Sequence, residues 1–359
     1  MKKFLLATLS VVITLALLEA YFQFRPLSLT FYNADGWWKE NWLKQQDQST
    51  SERVSFAIDS YDEKLGWRLS INLDLVDRLG NRVTSNSKGV RGNKEFSDTT
   101  DAIRVVTLGD SFTFGQCVAD DETYSSYLEQ MDDKLEVVNL GVHGYGTDQQ
   151  LLKLQLEGVQ YQPNIVVVGV VNENLTRNRL TFRDFAKPRF ILEDGEPILQ
   201  DSHIKSPEEL KQEIHLHTLN YLNILVTKVR DTFFRKSVEE YENALAMNIL
   251  EEMISTAKSI NAQMVLLYLP DQSEILENRI NPHIVYQQLC DRTDAICVDP
   301  SARLLALAEK TDQPSQLFAA CQHYAKEVYR EIATSLYNEL KVLLYNSNEA
   351  SPAASRMNE

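Results

Sequence analysis

A serine in a short turn is the first residue of this sequence whose position suits chemistry. The apolar run 103–108 ends in Gly109, Asp110 and Ser111, and a helical pattern follows residue 121. A tight turn between a strand and a helix presents a serine hydroxyl at the edge of a sheet, beside the free N–H groups of the helix. Because a hydroxyl is a poor nucleophile until a base removes its proton, Ser111 is a candidate nucleophile that needs a histidine.

Attack by such a serine on a carbonyl would create an oxyanion, which needs hydrogen-bond donors aimed at it in advance. The candidates are the N–H of Ser111 itself, the N–H of Gly141, where no Cβ obstructs approach, and a side-chain amide. Two asparagines follow the third predicted strand, Asn172 and Asn174, and either could supply the amide. The sequence therefore predicts an oxyanion hole built from three separate segments.

The elements that must position these residues are short apolar runs separated by helical patterns. The predicted strands are 103–108, 137–140, 164–171, 264–269 and 295–298. Strands that alternate with helices predict right-handed βαβ crossovers and a parallel sheet, with active residues at the carboxyl ends of the strands. The fold class is therefore α/β, with three α/β/α layers around a central parallel sheet.

A long excursion separates the third and fourth strands. Asp194 and Gly195 predict a hairpin turn, and Ser206 and Ser237 each begin a sequence typical of a helix-capping box. The second of these helices is assigned to the sheet domain, which leaves an insertion at about 176–236. This insertion could cover a site or touch a membrane, or it could be a structural addition without such a role.

The N-terminal segment, 1–24, is predicted to be a signal anchor or transmembrane helix. Lys2 and Lys3 precede the uncharged run 4–18, and apolar residues continue after Glu19. Cleavage by a signal peptidase remains an alternative, although the sequence around Glu19 lacks one of the two small residues that the enzyme needs. The two lysines favour a cytoplasmic N-terminus, which places the body on the periplasmic or cell-surface side.

Composition and charge limit what the rest of the chain can do. Residues 25–100 are interpreted as a stalk and an irregular lead-in, 101–345 as the main domain and 346–359 as a flexible tail. With 36 basic and 51 acidic residues the net charge is −15, which would repel a phosphate backbone. Binding to nucleic acid is therefore not expected, and we find no motif for a metal or another cofactor.

Four blocks of the sequence resemble those of the SGNH/GDSL hydrolase superfamily. They are the residues 109–111, Gly141, the asparagine after the third strand, and His323 before the last predicted helix. The segments 62–67 and 86–92 are similar to the lead-in of membrane-anchored members. The resemblance implies a flavodoxin-like fold, a serine nucleophile at Ser111 and activity on ester bonds without a cofactor.

The resemblance also bears on the choice of base among six histidines. His143 lies beside the predicted oxyanion loop, whereas His323 lies in a turn before a helix. His323 matches the base of the family and is preferred to His143. In the same way, the order of acidic, amide and apolar residues in related sequences favours Asn174 over Asn172.

The sequence departs from the family at the residue that normally orients the base. An aspartate is expected three residues before His323, and the chain has Ala320 there, with Asp312 as the nearest acid upstream. We expect a Ser–His dyad whose ring is held by a backbone carbonyl, or by Asp312 through a loop. Loss of the orienting acid costs a serine protease about four orders of magnitude in rate, so activity could be reduced or absent.

The four cysteines predict two disulfides if the body lies outside the reducing cytoplasm. Cys117 follows Ser111 by six residues and Cys321 precedes His323 by two, so a contact between serine and histidine would bring these cysteines together. Cys290 and Cys297 flank a turn into the fifth strand. We therefore predict the pairs 117–321 and 290–297; the alternative is four buried thiols.

The function expected from these observations is that of a membrane-anchored serine esterase, an acylhydrolase outside the cytoplasm. Its substrate would be an acyl ester of a carbohydrate or of an envelope lipid, cleaved through an acyl-enzyme at Ser111. Two alternatives remain. The same dyad could transfer the acyl group to a sugar hydroxyl, as an O-acyltransferase, or the chain could be an inactive scaffold or carbohydrate-binding protein.

Overall fold

The computed structural model describes residues 1–25, 27, 31–47, 58–200 and 203–346. Part of the predicted stalk and nearly all of the predicted tail therefore lie outside the described residues. The chain forms two compact units. The first consists of residues 1–68 and 176–245, and the second of residues 69–175 and 246–359.

The described elements are, in chain order, thirteen α-helices and eleven strands. The helices are α1 (Lys2–Phe24), α2 (Asp35–Asp47), α3 (Ser111–Phe114), α4 (Tyr124–Met131), α5 (Thr147–Leu156), α6 (Asn172–Arg177), α7 (Pro207–Gln212), α8 (His217–Phe233), α9 (Arg235–Ser259), α10 (Gln272–Leu276), α11 (Ile284–Arg292), α12 (Ser301–Lys310) and α13 (Lys326–Asn346). The strands are β1 (Asp59–Asp62), β2 (Gly66–Leu69), β3 (Asp74–Val76), β4 (Arg82–Thr84), β5 (Ile103–Leu108), β6 (Leu135–Asn139), β7 (Ile165–Val170), β8 (Phe190–Glu193), β9 (Glu196–Leu199), β10 (Gln263–Tyr268) and β11 (Ile296–Val298).

The second unit contains a five-stranded sheet in the order β11-β10-β7-β5-β6. Each neighbouring pair in it is parallel. The five strands predicted from the apolar runs are all present, and the predicted α/β class is confirmed. Strand β5 lies between β6 and β7. The chain therefore adds β6 on one side of β5 and then β7, β10 and β11 on the other side. Such a switch point opens a crevice at the carboxyl end of the strand, and the turn with Ser111 follows β5 directly.

Arg91, a residue of the lead-in, contacts the segment that follows Ser111. Its side chain donates a hydrogen bond to the carbonyl oxygen of Val118 at 2.9 Å, and its guanidinium lies 4.3 Å from the centre of the Phe114 ring. Burial lowers the pKa of Arg91 to about 10, and the nearby carboxylate of Asp120 opposes that shift. The lead-in therefore supports the segment that follows Ser111.

The insertion differs from its sequence-based prediction in two respects. The hairpin at Asp194 is present as β8 and β9, and Ser206 caps α7 through a box with Glu209. The predicted start at Ser237 is wrong, because α9 already begins at Arg235. An unpredicted helix, α8, precedes it, and its N-terminus has no capping side chain at the preceding residue. The usual sequence signal for the start of a helix is therefore missing there.

The first unit contains the apolar N-terminal helix. Helix α1 is 23 residues long, is apolar enough to cross a membrane and has no buried residue. Behind it, Trp42 is buried in a cluster with Phe182 and Leu210, while Trp37 packs against Tyr221 and its neighbours. The tryptophans after α1 therefore pack within the first unit.

Candidate active site

Ser111 is the first residue of α3, immediately after β5. The side chain of Asp110 caps this helix by accepting a hydrogen bond from the N–H of Phe112 at 3.0 Å. A Cβ on Gly109 would lie 2.0 Å from Oγ1 of Thr113, so only glycine permits a turn this tight. Ser111 is 8% exposed and lies at the N-terminus of this helix.

His323 lies in a narrow turn between a short 3-10 helix (Pro314–Leu317) and α13. Its carbonyl accepts a hydrogen bond from the N–H of Ala319 at 2.8 Å. Phe318 and Tyr324 form an isolated antiparallel β-bridge across the turn. The turn brings Nε2 of His323 to 2.7 Å from Oγ of Ser111. The two residues are 212 positions apart in the chain, so the tertiary fold creates this contact.

The second ring nitrogen of His323 fixes the tautomer. Nδ1 lies 2.9 Å from the carbonyl oxygen of Cys321. A carbonyl oxygen can only accept, so Nδ1 must carry the proton, and Nε2 of the neutral ring is then an acceptor. Ser111 therefore donates its hydroxyl proton to Nε2, which is the arrangement that a general base requires.

The orienting group of this histidine is thus a backbone carbonyl. Ala320 is the residue three positions before His323, and both Ala320 and Asp312 are exposed. Of the two arrangements left open by the sequence, the structure contains the one with the carbonyl. A neutral carbonyl dipole stabilises an imidazolium less than a full negative charge does.

The two candidate asparagines lie in different surroundings. Asn174 is fully buried, and its Nδ2 donates to Oδ2 of Asp110 at 2.8 Å and to the carbonyl oxygen of Tyr145 at 3.3 Å. Asn172 instead donates to the carbonyl oxygen of Asn281 at 3.0 Å and accepts from the N–H of His283. The fold therefore brings Asn174, rather than Asn172, to the residue next to Ser111.

Gly141 packs directly against α3. A Cβ on Gly141 would lie 2.4 Å from the backbone nitrogen of Phe114, which excludes any other residue without a shift of the backbone. Its N–H donates to Oδ1 of Asn139 at 3.0 Å, so this donor is used within its own loop. Further along the loop, Gly144 has a φ of 72°, a left-handed conformation that favours glycine. The sequence contains this second glycine three positions after Gly141, so the left-handed conformation could have been expected from it.

His143, the other candidate base, is 6% exposed, and its ring centre lies 4.1 Å from that of Phe114. It packs on the last residue of α3, whereas His323 contacts Ser111 itself. His203 contacts Glu209, and both residues belong to the first unit.

Both predicted disulfides are present. Cys117 is bonded to Cys321 with a Cα–Cα distance of 6.7 Å, and Cys290 is bonded to Cys297 with a distance of 5.8 Å. The first bond joins the segment after α3 to the turn with His323. The group that orients the His323 ring therefore belongs to a residue that is covalently fixed to the serine segment.

Asp110 was not singled out from the sequence, although it stands beside the nucleophile. Its two carboxylate oxygens bind the N–H of Phe112 and the amide of Asn174, so it joins two parts of the site.

Two buried tyrosines lie near Asp110. Burial raises the pKa values of Tyr324 and Tyr329, and the charge of Asp110 raises both further, so these phenols stay protonated near neutral pH. Among the described residues there is no group of three or more acids, histidines or cysteines placed to hold a metal.

No family model and no curated protein matches the chain. A solved lipolytic protein of the G-D-S-L family from Desulfitobacterium hafniense is 16% identical over 66% of this chain and 98% of its own, with a TM-score of 0.39. One from Veillonella parvula is 11% identical over 68% and 100%, with a TM-score of 0.40. A variant of an acetyl-xylooligosaccharide esterase from Geobacillus is 13% identical over 68% and 96%, with a TM-score of 0.40.

Proposed function

We propose that the protein is a serine esterase that cleaves an acyl ester through an acyl-enzyme at Ser111. The observation that supports this most strongly is the 2.7 Å contact between Oγ of Ser111 and Nε2 of His323. Because Nδ1 is bonded to a carbonyl oxygen, Nε2 faces the serine as an acceptor. A nucleophile and a correctly oriented base are the minimum that acyl transfer requires.

In the proposed reaction, Oγ of Ser111 attacks the carbonyl carbon of the ester while its proton passes to Nε2 of His323. The imidazolium then gives this proton to the oxygen of the departing alcohol, and the acyl group stays on Ser111. A water molecule next loses a proton to Nε2 and attacks the acyl-enzyme. Collapse of the second intermediate releases the carboxylic acid and returns the proton to Ser111, so protons and bonds balance over the cycle.

The negative charge of each intermediate would be stabilised by donors beside Ser111. The N–H of Ser111 is one candidate. Nδ2 of Asn174, which Asp110 holds next to the serine, is a second, provided that it gives up its 3.3 Å contact with the carbonyl oxygen of Tyr145. Gly141 can contribute only if its N–H leaves Asn139. We therefore add Gly144 as a candidate, since it precedes Tyr145, whose carbonyl accepts from Asn174. A structure of the protein with a phosphonate bound to Ser111 would decide, because the phosphonate oxygen would lie within 3.5 Å of the true donors.

We also propose that α1 is retained as a membrane anchor with its N-terminus in the cytoplasm. Its length and apolar surface suit a span, and Lys2 and Lys3 precede it. The two disulfides are consistent with a body outside the cytoplasm, where such bonds persist. The protein should then be released from membranes by detergent but not by salt, and its intact mass should include residues 1–24.

A fluorophosphonate probe provides the direct test of the nucleophile. We expect the wild-type protein to be labelled at Ser111 and the Ser111→Ala variant to be neither labelled nor active on a short-chain aryl ester. Circular dichroism of the variant serves as the folding control. A folded wild-type protein that resists labelling would contradict the proposal and favour the inactive scaffold.

A panel of esters would then define the substrate. Aryl esters, O-acetylated oligosaccharides and glycerolipids should be compared by release of the free acid. Adding an unmodified sugar as acceptor separates the two outcomes of the acyl-enzyme. A hydrolase releases acid at the same rate with or without the sugar, whereas an O-acyltransferase forms acylated sugar at the expense of acid.

A further inference from the structure

Helix α8 exposes an apolar face. Six of its residues, spaced by three, four or one positions, fall on one side of the helix and are each at least 46% exposed. They are Leu219, Leu222, Leu225, Val226, Val229 and Phe233. A helix on the surface of a water-soluble protein normally shows the opposite arrangement, with charged and polar residues towards the solvent.

The other side of α8 packs through the buried residues Tyr221 and Ile224 and is also held by polar contacts. Nδ2 of Asn220 and Nδ1 of His217 bind the buried carboxylate of Glu40 at 2.7 and 2.9 Å. Asn223 accepts a hydrogen bond from the N–H of Gly36 at 2.9 Å. Apolar packing and polar contacts together thus attach α8 to α2, while the six apolar residues of the opposite face are left exposed.

The N-terminus of α8 is bound to α1. Both carboxylate oxygens of Glu19 accept hydrogen bonds from α8, from the N–H of His217 at 2.8 Å and from the N–H of Thr218 at 2.9 Å. The rings of Phe22 and Tyr221 are in contact beside them, at 4.8 Å between centres. An acid in an otherwise apolar segment therefore caps a helix elsewhere in the chain. These contacts place the start of the apolar face next to the C-terminal end of α1.

Positive charges flank the other end of the apolar face. Lys228 and Arg230 lie on the last two turns of α8, and Arg235 and Lys236 follow immediately. All four are exposed, as is the ring of Phe234 between the two pairs. Arg230 forms an ion pair with Asp231, and Lys236 forms one with Glu240, both at the surface. Basic side chains beside exposed aromatic rings suit the headgroup region of a membrane, where lysine and arginine contact phosphates.

We propose that α8 lies in the interface of the lipid bilayer, with its apolar face in the acyl boundary and its basic residues among anionic headgroups. The proposal rests on the proposed anchoring of α1, because the contacts with Glu19 and Phe22 place the start of α8 where α1 would leave the membrane. The protein would then hold the membrane through one spanning helix and one helix lying along the surface. A second copy of the chain on the apolar face is the competing occupant.

Quenching by brominated lipids in nanodiscs tests this with the full-length protein. One tryptophan is added at a time to the four native ones, as Leu222→Trp or Val229→Trp on the apolar face. Leu9→Trp in α1 reports the anchor, and Glu309→Trp, at an exposed position of α12, is the control outside both helices. We expect the fluorescence of the added tryptophan at positions 222, 229 and 9 to be shifted to the blue and quenched by brominated lipid, with no quenching at position 309.

The proposals for α1 and α8 can be contradicted separately. Quenching at position 9 without quenching at positions 222 and 229 would overturn the proposal for α8 and leave the anchor intact. No quenching at any position would overturn both. Chemical cross-linking between two copies through residues 222 and 229, without lipid quenching, would assign the face to a dimer and also overturn the proposal.

Discussion

The carbonyl oxygen of Cys321 is hydrogen-bonded to Nδ1 of His323 at 2.9 Å, and Cys321 is itself bonded to Cys117. The residue that orients the proposed base is therefore tied covalently to the segment that carries Ser111. In an enzyme with a third acid, a carboxylate orients the ring and stabilises its charge. Here a neutral carbonyl orients the ring and stabilises its charge less than a carboxylate would, and the disulfide ties the orienting residue to the serine segment.

Removing this disulfide should lower activity before it unfolds the domain. In the Cys117→Ser, Cys321→Ser double variant, we expect kcat with an aryl ester to fall while KM changes little, because the turn with His323 loses a covalent restraint. Initial rates should be measured well below the melting temperature, with circular dichroism on the same samples. Unchanged kcat in a folded double variant would show that the hydrogen-bonded turn alone holds the base.

The second disulfide offers a matched control. Cys290 and Cys297 are seven residues apart, whereas Cys117 and Cys321 are 204 apart. By the chain-entropy relation, the long loop contributes about 5 kcal/mol and the short loop about 2 kcal/mol to the free energy of unfolding. The Cys290→Ser, Cys297→Ser variant should therefore melt at a temperature closer to that of the wild type and keep its activity.

An acid placed at the usual position should increase the rate. In Ala320→Asp, we expect a higher kcat near neutral pH, because a carboxylate at Nδ1 stabilises the imidazolium that forms as Ser111 attacks. Ala320 is exposed, so the new side chain requires no cavity. Ala320→Asn is the control, since it has the same shape without the charge. Equal rates in both variants would mean that the new acid does not reach the ring.

The choice of base can be tested by comparing two histidines. His323→Ala should abolish turnover as completely as Ser111→Ala, and the double variant should be no slower, because residues that act as a unit are not additive. His143→Ala should cost much less, since its ring packs on Phe114. Rates for the three single variants, measured with one aryl ester, would reverse this order if His143 were the base.

The choice of asparagine gives a fourth prediction. Asn174→Ala should lower kcat about 100- to 1000-fold, the range found when one oxyanion donor is removed. Asn172→Ala should leave kcat nearly unchanged, because its amide binds the carbonyl of Asn281. KM and the melting temperature should be recorded for both variants. A parallel fall in melting temperature and kcat for Asn174→Ala would indicate a structural role instead.

Much of the fold could be predicted because its signals are local. Each strand of the central sheet is an apolar run, and the run 165–170 is buried along its whole length. The hairpin at Asp194 and the cap at Ser206 also depend on neighbouring residues alone. Such features follow from short segments of sequence whatever the rest of the chain does.

What could not be predicted depends on contacts that no sequence motif identifies. Helix α8 is capped by Glu19, almost 200 positions earlier, so the sequence before His217 has no capping signal. The N–H of Gly141 binds Asn139 through a side-chain contact that spacing does not reveal. The orienting role of Cys321 uses a backbone carbonyl, which every residue has and no motif can identify.

The bond between Cys117 and Cys321 also makes a closed covalent ring of the chain between them. This ring includes four of the five central strands and the whole segment from β8 to α9. A protease that cuts one peptide bond inside it, for example in an exposed loop near residue 213, would leave the two fragments joined. Nicked protein would migrate as one chain without reducing agent and as two chains after reduction.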